Sequence, residues 1–311
     1  MVRRSVESLG FAILVGAALL VGPGATLAGG NEWDRRNHEL ALKLARMDDA
    51  DSRAAAALLF QIGDKQRSDA TELMAEAVAL SPGRADLVWL QASLCSNVRN
   101  CDPELIEQQL RILAPANGSG WLGALTRAYS AGDTAGVDAS LKAIAKSTRT
   151  DVYFTTLVAR LTRAAARAGV LTLQEAEVEL IGALAARAIP AYSPAVTSCK
   201  EARLTDPQVV EACRGVAKSF LAGDTYLTEM VGVAIAKRAW PENSPEWKAA
   251  VDAHLAYDSA AKEFLKTRTA QAEASERYVE LCEQYAKEQD VYRAAIRESQ
   301  YSTSAPEEKA R

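Results

Sequence analysis

The chain has 311 residues, 49% of them hydrophobic, with 36 Lys and Arg against 40 Asp and Glu for a formal net charge of −4. That much apolar content supports a sizeable core. A weakly acidic chain without a basic stripe has no cationic footprint for neutralising phosphates, which sets nucleic acid aside as a partner class.

The first 28 residues read as a cleaved signal peptide. Arg3 and Arg4 precede an apolar run from Leu9 to Val21, Gly22, Pro23 and Gly24 break it, and small residues lead to a cleavage site after Ala28. The rival is a retained anchor, but Phe11 to Ala28 supplies 18 uncharged residues where a spanning helix uses about 20. Ser5, Val6 and Glu7 lack the apolar pair of a twin-arginine signal, and the first cysteine, Cys95, lies too far along for a lipoprotein. The mature protein keeps 34 cationic and 39 acidic side chains, a net −5. It is expected in the periplasm or outside the cell, off the membrane.

Periodicity beyond the signal predicts an all-α chain. Phe154, Leu157, Leu161, Ala165 and Ala168 mark one apolar helix face, and Leu173, Ala176, Leu180 and Leu184 another. Asp102 before Pro103, Asp206 before Pro207 and Ser244 before Pro245 each set a capping side chain ahead of a proline at the first helical position, where its missing N–H costs nothing. Thr172 with Glu175 forms a capping box. The stretch AGDT occurs twice, from Ala131 and from Ala222, and is followed by AIAK from Ala143 and from Ala234. Each AGDT is expected to end one helix on its glycine and cap the next with Asp133 or Asp224, and each AIAK to be a close-packing helix interior. A phosphate-cradling loop needs more glycines and a lysine. From Trp247 to about Ser299 the chain suits one or two long, partly exposed helices, with Leu255, Phe264, Tyr278 and Cys282 among their apolar anchors. The expected organisation is a repeat region over 29–189, a C-terminal helical region over 190–300 and a disordered tail over 301–311.

Pro82 and Pro115 lie 33 residues apart, and Trp89 and Trp121 lie 32 apart, close to the period of two-helix repeats. In the second unit, Pro115 and Asn117 are followed by Trp121 and then by Gly132 and Asp133. This resembles the tetratricopeptide pattern in a degenerate copy, with Leu125 where that family carries a small residue. The resemblance covers about residues 65–147. It implies antiparallel helical hairpins stacked as a solenoid, with Trp121 packed between the two helices of its hairpin. The segments LCSNVRNCDPEL and GDTYLTEMVGVAIAKRAWPENSPEW, together with the signal segment, resemble exported helical-repeat proteins of proteobacteria, a group that implies no particular activity.

Five cysteines in an exported chain read by default as a disulfide framework. Cys95 with Cys101 would staple one hairpin, and Cys199 with Cys213 would tie a loop to the helix after Pro207. Such loops are worth about 2.4 and 3 kcal/mol by chain entropy. Cys282 is left over and is expected to be a buried apolar residue. Spacings of six and fourteen, with two histidines in the chain, do not suit zinc. His38 and His254 read as surface or packing residues, the tryptophans as core anchors with the alternative that one or two line a groove, and no G-x-S-x-G, H-E-x-x-H or P-loop pattern occurs. The expectation is a non-enzymatic scaffold without metal or cofactor, whose partner is a protein or peptide. The alternative is an envelope enzyme or small-ligand binder with a cleft between the repeat region and the C-terminal helices.

Overall fold

The computed structural model describes residues 30–60, 64–95, 98, 101–268 and 274–304. The signal peptide expected at 1–28 lies outside the described residues. Among these there are fifteen α-helices, one 3-10 turn and no strand. The first five helices are α1 (Gly30–Leu44), α2 (Ala50–Leu59), α3 (Asp64–Leu80), α4 (Ala85–Cys95) and α5 (Pro103–Leu113). A 3-10 turn (Gly118–Trp121) leads into α6 (Leu122–Ser130), α7 (Thr134–Lys146), α8 (Phe154–Arg167), α9 (Leu173–Arg187) and α10 (Ser193–Ser198). The chain then forms α11 (Pro207–Leu221), α12 (Tyr226–Ala239), α13 (Pro245–Arg268), α14 (Ala274–Gln284) and α15 (Glu288–Ser304).

Local chemistry sets many of these starts. Asp102 accepts the N–H groups of Glu104 and Leu105 at the head of α5, and Asp206 accepts that of Gln208 at the head of α11. Thr172 and Glu175 exchange bonds in the capping box of α9, and Ser244 accepts from Trp247 at the start of α13. Each cap satisfies N–H groups that have no partner inside the helix.

The apolar faces meet in two cores. One gathers α1 to α4, α8, α9 and α14, with parts of α5, α13 and α15, around Leu40, Leu87, Leu90, Leu157 and Leu180. The other gathers α6, α7, α10, α11, α12 and the start of α13 around Leu141, Ile144, Val216 and Phe220. Both cores draw residues from either side of position 189. The helix α8 packs on α2 and α14, while α11 packs on α7, so packing order departs from order along the chain.

The two AGDT hairpins, α6 with α7 and α11 with α12, therefore stack directly, while α8 and α9 turn back onto the first core. Small residues set the distance between them. A Cβ built on Gly215 of α11 lies 2.5 Å from the Cβ of Ala145, inside the first AIAK, and 2.9 Å from its carbonyl oxygen. A side chain there would push α11 off α7.

The two copies of AGDT nonetheless differ. In the first, Gly132 takes the left-handed conformation at φ 69° and Asp133 caps α7, accepting from Gly136 N–H at 3.0 Å. Asp133→Ala is expected to lower stability by about 0.5 to 2 kcal/mol in a urea melt. In the second copy the expected cap is not there. Thr225 caps α12 instead, accepting from Thr228 N–H at 3.1 Å, and Asp224 turns inward with 3% exposure. Gly223 is not among the residues with positive φ. Its Cβ position lies 2.5 Å from the carbonyl oxygen of Thr150, so glycine is needed here for close approach.

The two cysteine pairs sit at disulfide distance, with Cα separations of 5.5 Å for Cys95 and Cys101 and 5.7 Å for Cys199 and Cys213. Mass mapping without reduction is expected to find these two bonds. Removing the second, with Cys199→Ala and Cys213→Ala together, is expected to lower stability by about 3 kcal/mol. Cys282 is buried, and burial pushes its thiol up to about 12.

From Pro245 onward the described residues form three helices, α13 to α15, where one or two are expected. Phe264, Tyr278 and Cys282 are buried, but Leu255 is 57% exposed. The last helix runs on to Ser304, and residues 305–311 of the expected tail lie outside the described residues. Among the described residues no helix is long and apolar enough to cross a membrane.

Candidate functional site

Asn117 builds the first feature. Its side-chain oxygen accepts the N–H groups of Ser119 at 3.0 Å and Asp151 at 2.9 Å, while its amide donates to the Asp151 carbonyl at 3.0 Å. This fixes the 3-10 turn against the linker between α7 and α8. Gly118 is needed there, since a Cβ would lie 2.7 Å from Thr150 Oγ1. The turn then delivers Trp121 to the head of α6.

There Trp121 is partly buried and packs against the second core, with part of its ring left exposed beside α7. The Arg111 guanidinium covers its ring at 4.2 Å and donates to the Gly120 carbonyl at 3.0 Å. The indole also lines a surface hollow of about 390 Å³ with Pro115, Ala139, Lys142, Ala143, Lys146 and Ser147. Lys142 and Lys146 are exposed and lie one turn apart on α7; Lys142 also donates to Gln208 Oε1 at 3.1 Å. The indole and the two lysines thus share one hollow. Of the other tryptophans, Trp89 and Trp240 are buried in the cores and Trp247 is partly buried. The side chain of Trp33 lies outside the described residues.

The second feature is a polar junction where the linker before α8, the turn before α12 and the start of α15 meet. The Asp224 carboxylate accepts Val152 N–H at 2.9 Å and Phe154 N–H at 3.3 Å, and its carbonyl accepts Glu288 N–H at 2.9 Å. The Glu288 carboxylate accepts Tyr226 N–H at 2.8 Å and the hydroxyls of Tyr257, at 3.2 Å, and Tyr292. Beside it, Tyr226 donates its hydroxyl to Asp258 at 3.1 Å and stacks on His254, which bonds through Nδ1 to Glu229 at 2.8 Å.

Burial pushes the Asp224 carboxyl up to about 7, helped by the charge of Asp151 and opposed by the two backbone N–H groups. Burial also raises Glu288, against its three donors, and Glu229, against His254. The same desolvation raises Tyr257 and Tyr292, keeping them neutral donors.

No local pattern in the sequence marks the junction. Its acids come from the turn before α12 and from α12, α13 and α15, and the one signal near it, AGDT, reads as a cap. His38, exposed, meets the ring of Phe60 edge-on at 5.8 Å. No three of His, Cys, Asp and Glu converge as a metal-ligand set among the described residues. Comparison with known protein families, with curated proteins and with solved structures finds no match to this chain.

Proposed function

We propose that this protein is a non-enzymatic helical scaffold, exported from the cell that makes it, which binds a protein or peptide partner at the Trp121 hollow. The observation that carries the reading is a part-exposed indole on the wall of a surface hollow with lysines at its rim. Tryptophan is among the residues that most often dominate binding energy. The pairs of cysteines at disulfide distance suit an oxidising compartment. The direct stacking of the two AGDT hairpins supports a short tetratricopeptide-like unit within the fold. The groups of the polar junction are engaged mostly with one another, which favours a structural role for them over a catalytic one.

The test compares capture from an envelope extract by the wild type and by Trp121→Ala. The variant is expected to melt within a few degrees of the wild type and to lose at least tenfold in binding the captured partner. Identical capture by both proteins would remove the hollow as the binding surface. A large drop in melting temperature would return Trp121 to the core.

A further inference from the structure

We infer that the hollow selects an acidic peptide segment, one that lays a proline or aliphatic side chain on Trp121 and sets a carboxylate between Lys142 and Lys146. This deepens the reading above and rests on it. The two lysines stand four residues apart on α7, on one helix face, so their ammonium groups serve the same neighbourhood. The Arg111 guanidinium stacked on Trp121 at 4.2 Å is itself paired with Glu107 at 3.9 Å, so the positive charge at the hollow is that of the two lysines.

Nearby acids do not cancel this field. Glu107, 3.9 Å from the Arg111 guanidinium, is held more closely by the two terminal guanidinium nitrogens of Arg127, at 2.7 and 2.8 Å. Asp138, next to Ala139 in the wall, pairs with Arg203 across to the segment before α11. None of the residues lining the hollow is acidic. A positive hollow in a chain of net charge −4 has its complement in a negative ligand. The apolar lining by Pro115, Trp121, Ala139 and Ala143 fits a side chain and not a bare phosphate. The volume of about 390 Å³ falls at the small end of ligand sites, roughly 300 to 1,000 Å³, as a short stretch of extended chain requires.

The experiment probes the purified protein with an array of random heptapeptides, followed by anisotropy titration of the strongest binders and of their Gln and Asn isosteres. Acidic peptides are expected to bind at least tenfold more tightly than the isosteres, with the difference shrinking as salt rises. Lys142→Gln with Lys146→Gln is expected to erase that difference, and Trp121→Ala to weaken both sets. Equal binding of acidic and neutral peptides, lost in Trp121→Ala, would overturn the charge selection and leave the peptide reading standing. An array without binders would overturn both. Acidic binding that survives all three substitutions would place the site elsewhere. Self-association abolished by Lys142→Glu with Lys146→Glu would make a second copy of this chain the occupant and overturn the inference.

Discussion

Asp224→Ala is expected to lower stability by about 2 to 5 kcal/mol, well beyond the effect of Asp133→Ala in the identical tetrapeptide. The substitution leaves the N–H groups of Val152 and Phe154 without their acceptor in the junction, and a buried unsatisfied donor costs about 1 to 3 kcal/mol. Acidity should reveal the same residue. Its carboxyl stands at about 7 in the folded protein against an ordinary 3.8. Between those values the folded state keeps a proton that the unfolded chain has released. The stabilisation is therefore fully present below about pH 4 and is lost as pH rises through 7. Glu229 and Glu288, also raised, act in the same direction. Asp49, Glu175, Asp258 and Glu298 are lowered, so their contribution is lost only as pH falls through and below the ordinary carboxylate range. The melting temperature should thus rise as pH falls from 8 to 5, and Asp224→Asn should flatten that slope. A melt insensitive to pH over this window, or an unchanged slope in the variant, would contradict the burial assigned to Asp224.

The contrast between Asp133 and Asp224 shows what was legible in the sequence. Helix caps at Asp102, Asp133, Thr172 and Asp206 depend on N–H groups within three residues, so a short window contains both partners. Asp224 finds its acceptor role 70 and 72 residues away, and nothing in AGDT announces that. Thr225 takes over the cap because its hydroxyl reaches Thr228 N–H, which frees the aspartate to turn inward. Trp121 follows the same rule. Its spacing from Trp89 suggests a repeat core, but Asn117, bonded to Asp151 34 residues on, fixes the turn that sets the indole, partly buried, at the edge of the second core. Apolar periodicity identified the buried faces of α8 and α9 through Leu157, Leu161, Leu180 and Leu184. It did not say that α8 faces α2 rather than α7, because a period fixes which side of a helix is apolar and not what covers it.

Phe220→Ala is expected to lower stability by about 3 to 5 kcal/mol, the range for truncating a large aromatic in a packed core. Its side chain is fully buried at the end of α11 and meets Tyr192 edge-on with ring centroids 5.6 Å apart. The backbone around it is also tightly held: a Cβ on Gly232 of α12 would lie 2.7 Å from Leu221 N and 3.1 Å from the Phe220 carbonyl carbon. The walls of the resulting cavity therefore cannot close without moving α12, so relaxation should recover little of the loss. A urea melt should show a lower midpoint with an unchanged slope. Ile112→Ala, at a site 79% exposed on α5, should stay within about 0.5 kcal/mol of the wild type. Because α11 packs on α7, which carries Lys142 and Lys146, Phe220→Ala should also weaken peptide binding at the hollow only near its own melting transition. A loss below about 1 kcal/mol would mean that α11 and α12 do not enclose Phe220, and the stack that supports the hollow would have to be redrawn.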